Sequence, residues 1–320
     1  MTDRVISFFE FSEIDKRENF NIENGISIEN FLSLIGPYQL SEIVKCQVEH
    51  VTGRCKHPHK NGWLGKRKDG AEALIGKNCA SQYFNADQNF VAERKRVDME
   101  LRIDGHIAAL SVLLNNKDEL WARLGEADHR MKAIQKIRHS FHSVLSVDAR
   151  KRLTDMVKTG NWAVIVQVKH LEKDDNGKER AVWRERNIGT MAGVDVFDAG
   201  HTSDISSTLA AIKVAIHAAN PSRDEKEKDL RGWREAIEKL PAYVEKITLL
   251  ERSLASFSSR NNISLLSVLG TAPSNKMELG KLLLTLEGNP VPSNNKTNAL
   301  LGEISDLIKQ KADGKEYRTI

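Results

Sequence analysis

The sequence predicts an α+β fold that is mainly α: a small cysteine-bearing module near the N-terminus, long coiled-coil-like helices, and a small antiparallel β-sheet inserted between helical segments. Three observations carry this. Apolar residues recur at helical spacing over most of 87–160 and 204–311. The period shifts to a Val/Ile-rich run and alternation between Trp162 and Ile188. All three cysteines, Cys46, Cys55 and Cys79, fall in one short window.

The elements follow in order. Val5–Phe11 is a short apolar run that reads as a strand. Ser27 is placed to cap a short helix carrying Phe31, Leu32, Leu34 and Ile35 and stopping at Gly36-Pro37. From Asp87 to Leu124 the spacing predicts one long helix, with a break at Gly125. A second helix carries Met131, Ile134, Ile137, Phe141 and Val144, and a further piece stops at Gly160. Trp162–Leu171 and Arg180–Ile188 read as a hairpin about an Asn176-Gly177 turn, with Met191–Phe197 as a third strand. Helix returns near Asp204 and ends at Asn220-Pro221. Leu230, Trp233, Ile237, Leu240, Val244, Ile247 and Leu254 form a coiled-coil-like stripe, with Glu251 in the missing slot and a kink or short break expected at Pro241. Helices at 263–269, 276–287 and 297–311 close the chain, around a loop at Gly288–Asn295, and a polar tail from Ala312 is expected to fray. This divides the chain into an acidic segment 1–44, a cysteine module 45–86, long helices 87–160, a hairpin or meander 161–200 and a helical region 201–320.

Composition narrows the function classes. With 320 residues, 40% hydrophobic and 29% charged, the chain is long enough for a sizeable core and too apolar for disorder. No stretch approaches the roughly 18 apolar residues of a membrane span, and the start Met1-Thr2-Asp3-Arg4 lacks a signal peptide's pattern. A cytoplasmic protein is expected, where cysteines stay reduced and serve metals or catalysis. The net charge of +4 conceals a pattern. Residues 1–44 carry −5, 45–84 carry +5, 85–129 carry −3, 130–158 carry +6 and 159–320 carry +1. Alternating sign of this kind points to polyanion binding or to contacts between segments.

The cysteine window also holds His50, His57 and His59. Thiolate and imidazole are what Zn²⁺ takes in a tetrahedral set, so zinc is the expected cofactor. Four protein ligands would close the site and make it structural. A catalytic zinc would need an open position and a base, for which Glu49 and Glu72 are the nearby carboxylates. Leu74-Ile75-Gly76-Lys77-Asn78-Cys79, followed by Ala80–Phe84, resembles the second half of treble-clef-type zinc fingers, where an Ile-Gly-x-x-Cys turn leads into a helix ending in an aromatic. Similar modules occur in uncharacterised proteins of bacteria, phages and mobile elements. The resemblance covers about 40 residues. It implies Cys55 and His59 as a first pair, with Cys79 and Cys46 completing the site and His57 or His50 as substitutes. The departure from that pattern is in the first half, where Cys46 and Cys55 lie nine apart rather than in a tight C-x2-C.

Basic residues surround the module: Lys56, Lys60, Lys66, Arg67, Lys68 and Lys77, with Trp63 among them. A second block includes Arg138, Arg150, Lys151 and Arg152, with His139 and His142 on one helix face. Lysine and arginine on phosphates, with an aromatic for stacking, are the means of nucleic-acid binding. The sequence therefore favours a non-enzymatic, zinc-containing, DNA- or RNA-binding protein, and the resemblance suggests a setting of phage or bacterial genome defence or counter-defence. A protein-interaction scaffold with a purely structural zinc is the alternative, and a zinc enzyme the third. The periodic helices suggest a homo-oligomer. No P-loop, nucleophile elbow, His-Glu-x-x-His or dinucleotide fingerprint is present.

Overall fold

The computed structural model describes residues 4–175, 177–269 and 273–319. It is mainly helical, with small antiparallel sheets between helical segments. Contacts divide it into two compact units, 1–112 with 219–234, and 113–218 with 235–320.

The first unit is built on a three-stranded sheet of β1 (Phe31–Lys45), β4 (Pro58–Arg67) and β5 (Glu72–Gly76), in that order and antiparallel. The short helix α1 (Phe11–Asp15) precedes it. Between β1 and β4 lies a small hairpin of β2 (Glu49–His50) and β3 (Gly53–Arg54). After β5 come α2 (Lys77–Cys79), a π-helical turn Ala80–Phe84 and the long helix α3 (Gln88–Leu114). Phe31, Phe84 and Phe90 pack ring against ring at centroid distances of 5.0–5.9 Å, which ties sheet to helix.

The expected Ser27-capped helix is instead strand β1, which runs on through Gly36-Pro37. Its burial does not alternate cleanly, because bulges shift the register between Phe31 and Ser33, Leu34 and Gly36, and Gln39 and Val44. The resulting clusters of buried residues imitate helical spacing. Pro37 lies within β1, and its carbonyl accepts from Phe8 N at 3.1 Å. Residues 5–8 do lie extended beside β1, through Ile6 N to Ile35 O and a parallel bridge of Phe8 to Tyr38, but Phe11 opens α1 rather than ending a strand.

The expected helix 87–124 is also corrected. It ends at Leu114, and α4 (Lys117–Val144) begins after Asn115-Asn116. Asn116 leaves helical geometry at the cap, and Asp118 and Glu119 complement the new N-terminus. Gly125 lies inside α4, where one glycine costs only about 1 kcal/mol.

The second unit contains α4, α5 (Val147–Thr159, capped by Ser146), α6 (Ala199–Ala218), α8 (Leu240–Phe257), α9 (Arg260–Leu266), α10 (Pro273–Leu286) and α11 (Asn294–Lys311). Helix α7 (Glu227–Glu238) spans the two units' boundary in sequence. The expected stripe is divided at Lys239, with Pro241 in the first turn of α8, where its missing N–H has no intrahelical partner to lose.

Strands β6 (Ala163–Lys173) and β7 (Glu179–Thr190) pair as the expected hairpin; Asn176 of its turn lies outside the described residues. The third strand is not 191–197, whose last four residues form a 3-10 turn. Gly193 sets this geometry: it has φ +68°, and a Cβ there would sit 2.0 Å from Ser253 O. The place is taken by β8 (Tyr317–Thr319), from the tail expected to fray, which pairs with β6.

Glu251, the odd residue of the apolar stripe, accepts two bonds from Arg130 at 2.8 and 2.5 Å. This pairing holds the Glu251 carboxyl below its ordinary range. The stability it adds is present above the unfolded value near pH 4.3 and is lost as pH falls through the lower folded value. Because Glu251 is 39% exposed, Glu251→Gln is expected to cost only about 0.5–1 kcal/mol at pH 7. Thermal melts of the two proteins should differ near neutrality and converge as pH falls through the lowered folded value.

Candidate metal centre

Three buried or half-buried sulfurs meet in the first unit. The Sγ atoms of Cys46, Cys55 and Cys79 all lie within 4.8 Å of one another, a set that could hold a metal ion. Cys55 Sγ and Cys79 Sγ are 3.1 Å apart.

The chain brings them together by simple means. Cys46 follows β1, and Cys55 follows β3. The hairpin between them folds residues 46–57 back on themselves: Cys55 N donates to Val48 O, Lys56 N to Cys46 O, and Cys46 N to His57 O, at 2.9–3.1 Å. The nine-residue spacing thus still brings the two sulfurs within 4.8 Å of each other. Lys56 turns the chain with φ +49°, a costly value for a residue with a Cβ. Cys79 ends α2, which follows β5 without a loop.

Backbone amides face the sulfur. Gly76 N donates to Cys46 Sγ at 3.4 Å, and Val48 contributes a second backbone bond. Burial pushes the Cys46 and Cys79 thiols up, and the neighbouring cysteines add to this for Cys79. Three thiolates packed this closely would repel strongly with no cation among them. A bound dication reverses that balance, as in known thiolate sites. The donor set therefore fits a soft or borderline metal better than Mg²⁺ or Ca²⁺, which take oxygen.

His59 is not within the 4.8 Å set, but with His57, Cys46 and Cys79 it lines an adjoining cavity of about 190 Å³. Both of its ring nitrogens are engaged: Nε2 with the Tyr38 hydroxyl, and Nδ1 with His57 O at 3.0 Å. Burial pushes its pKa down, favouring the neutral ring that a ligand needs. His57 is exposed. His50 stacks on Tyr83 at 5.1 Å and bonds Thr52, beside a different cavity of about 650 Å³. Glu72 is committed elsewhere, with both carboxylate oxygens on Arg17.

The basic residues fall into two overlapping groups, with Lys60 in both. Arg67 bonds Gly25 O and Asp69, Lys68 bonds Glu29 O, and Lys60 bonds Ser41 O, so these side chains also brace the fold. Lys60 and Lys77 line the cavity beside the sulfurs, and Lys56 is exposed next to Cys55. Trp63 is half-buried: its ring meets Phe90 edge-on at 6.2 Å and Arg94 covers it at 5.0 Å. Tyr38 was not foreseen. It lies buried near Cys46 and Cys79, with its hydroxyl 2.5 Å from where a Cβ of residue 62 would sit, a position only Gly62 permits. In the second unit, Arg138 and Arg150 border one cavity, Arg152 is half-buried, and Lys151 is exposed.

Comparison of the chain with family models, with curated proteins and with solved structures finds no match. Among the described residues, no helix is long and apolar enough to cross a membrane.

Proposed function

We propose that the chain is a cytoplasmic, zinc-holding protein that binds nucleic acid through the lysines around its metal centre. The observation that supports this most directly is the convergence of three sulfurs beside a cavity rimmed by Lys60 and Lys77, with Lys56 adjacent. Zinc would neutralise the thiolates and lock the hairpin to β5 and α2. His59 is the fourth donor in this reading: it shares the cavity, and its Nε2 would give up the Tyr38 hydroxyl and move toward the sulfurs to reach the metal. The lysines would meet phosphates, and the rest of the basic face serves the fold.

Two measurements test it. Cobalt-substituted protein is expected to show thiolate charge-transfer bands, and His59→Gln, unlike His57→Gln, should alter the d–d spectrum and weaken the metal. Fluorescence polarisation with labelled DNA and RNA should give a salt slope of about −3 on logarithmic axes, for three lysine contacts. Substituting Lys56, Lys60 and Lys77 by glutamine should remove that binding. If no nucleic acid binds at low salt, the reading fails. A protein partner is then the better reading, favoured by the fully exposed Val51 beside Ile28 and Tyr83 at the 650 Å³ cavity.

A further inference from the structure

The second unit contains a separate cationic cavity. It has a volume of about 320 Å³ and lies between α4, α5 and the start of α6. Arg138 and His142 come from α4, and Arg150 and Lys158 from α5. Leu145, Leu153, Val157 and Phe197 supply an apolar wall.

These cations are only partly balanced from within, by the single carboxylate of Asp198. Arg138 bonds the Thr202 hydroxyl at 2.5 Å, and Arg150 faces His142 Nδ1 at 3.4 Å. Among the described residues no carboxylate forms an ion pair with Arg138, Arg150 or Lys158. The acid in the lining is Asp198, and its Oδ1 is occupied by the amides of Gly200 and His201 at 2.8 and 3.1 Å. Desolvation, then Arg150, Arg138 and His139, push the His142 pKa down, as expected where like charges crowd. Burial likewise opposes the charge of Arg138, and the nearby Asp198 carboxylate offsets part of that cost. The α6 amides are capped by Asp198, so the side chains, not the helix end, are what attract an anion.

Size and lining select the ligand. A lone inorganic anion would leave the apolar wall wet, and a purely apolar ligand would strand the cations. The volume lies at the lower end of small-molecule sites. We propose that this cavity binds a nucleoside monophosphate, with its phosphate on Arg138, Arg150 and Lys158 and its base against Phe197 and the leucines. Arg138 and Arg150 offer planar donor forks suited to phosphate oxygens, and Lys158 a point charge. The proposal is independent of the metal centre, which belongs to the other unit.

Isothermal titration of the full chain with AMP, GMP, CMP and UMP tests it. At least one is expected to bind at one site per chain, while its unphosphorylated nucleoside does not. Arg150→Gln with Lys158→Gln should weaken binding by roughly tenfold or more, and Lys151→Gln on the same helix should leave it unchanged. Thr154→Trp, which fills the cavity without removing a charge, should also abolish binding, so a poorly folded double variant would not leave the matter open. Displacement by a 5′-phosphorylated oligonucleotide, but not by its 5′-hydroxyl form, would place the monophosphate on a strand end. No displacement by either would restrict the ligand to the free nucleotide. Absence of binding at about 1 mM for all four, equal binding of the nucleoside, equal displacement by both oligonucleotides, or equal loss in Lys151→Gln would each overturn the proposal.

Discussion

Cys79→Ser is expected to lower bound zinc from about one per chain to a small fraction, and to destabilise the first unit by on the order of 3 kcal/mol or more. Serine nearly matches cysteine in volume, so little of this is packing. Without a metal in the wild type, the same change would only exchange one buried polar group for another and would cost about 1 kcal/mol. The size of the effect therefore separates a metal ligand from a buried thiol. Cys79 is the best position for the test because it is 6% exposed and its sulfur is 3.1 Å from Cys55. It ends α2, which follows β5 directly, so loss of its sulfur contact with Cys55 frees the hairpin from that end of the sheet. Chelator treatment of the wild type should reproduce the destabilisation, and should add nothing in Cys79→Ser. Elemental analysis and urea denaturation give both readouts. A wild type that carries no metal after expression in zinc-supplemented medium would defeat the zinc reading.

What the sequence made legible was the chemistry of the cysteines and the helices of the second unit. Three thiols in one window announce a common site whatever the fold between them, because nothing else concentrates them so. The last three helices were readable from their regular apolar spacing, but each begins three residues earlier than expected, and two of these starts are set by the caps Ser259 and Ser293. The sheet of the first unit was not. Gly62 and Gly65 interrupt β4, since a Cβ at residue 62 would strike Ile75 O at 2.1 Å and one at 65 the Ile26 and Ile75 methyls at 2.8 Å. Glycines demanded by close strand approach look like loop residues when read alone. The bulges of β1 hid its period in the same way. Strand β8 was invisible because its stability comes from β6, some 150 residues earlier, and not from its own composition. The nine-residue spacing of Cys46 and Cys55, read as a departure from a tight pair, still brings the two sulfurs together because a hairpin lies inside it.

The same dependence on distant partners explains the second large effect. Arg17→Met is expected to destabilise the first unit by about 3–5 kcal/mol. Glu72 opens β5 and its side chain is 3% exposed, yet it is charged and fully engaged. Arg17 meets both its carboxylate oxygens, at 2.6 and 2.9 Å, while Asn19 O and Asn24 Nδ2 hold its backbone. Methionine keeps the apolar stem that packs near Phe8, over whose ring the guanidinium lies at 5.7 Å. What it removes is the bidentate partner, leaving a carboxylate in a place that water cannot reach. Glu72→Gln in the same chain should recover a large part of the loss, because the remaining group is neutral. Failure of that recovery would mean that Arg17 acts by packing alone. The consequence reaches the metal centre: β5 ends at Gly76, whose amide donates to Cys46 Sγ, and continues directly into Cys79. Arg17→Met should therefore weaken cobalt binding as well, and Arg17→Met with Glu72→Gln should restore it. A variant that lost stability with no change in metal affinity would show that β5 and the sulfurs are uncoupled.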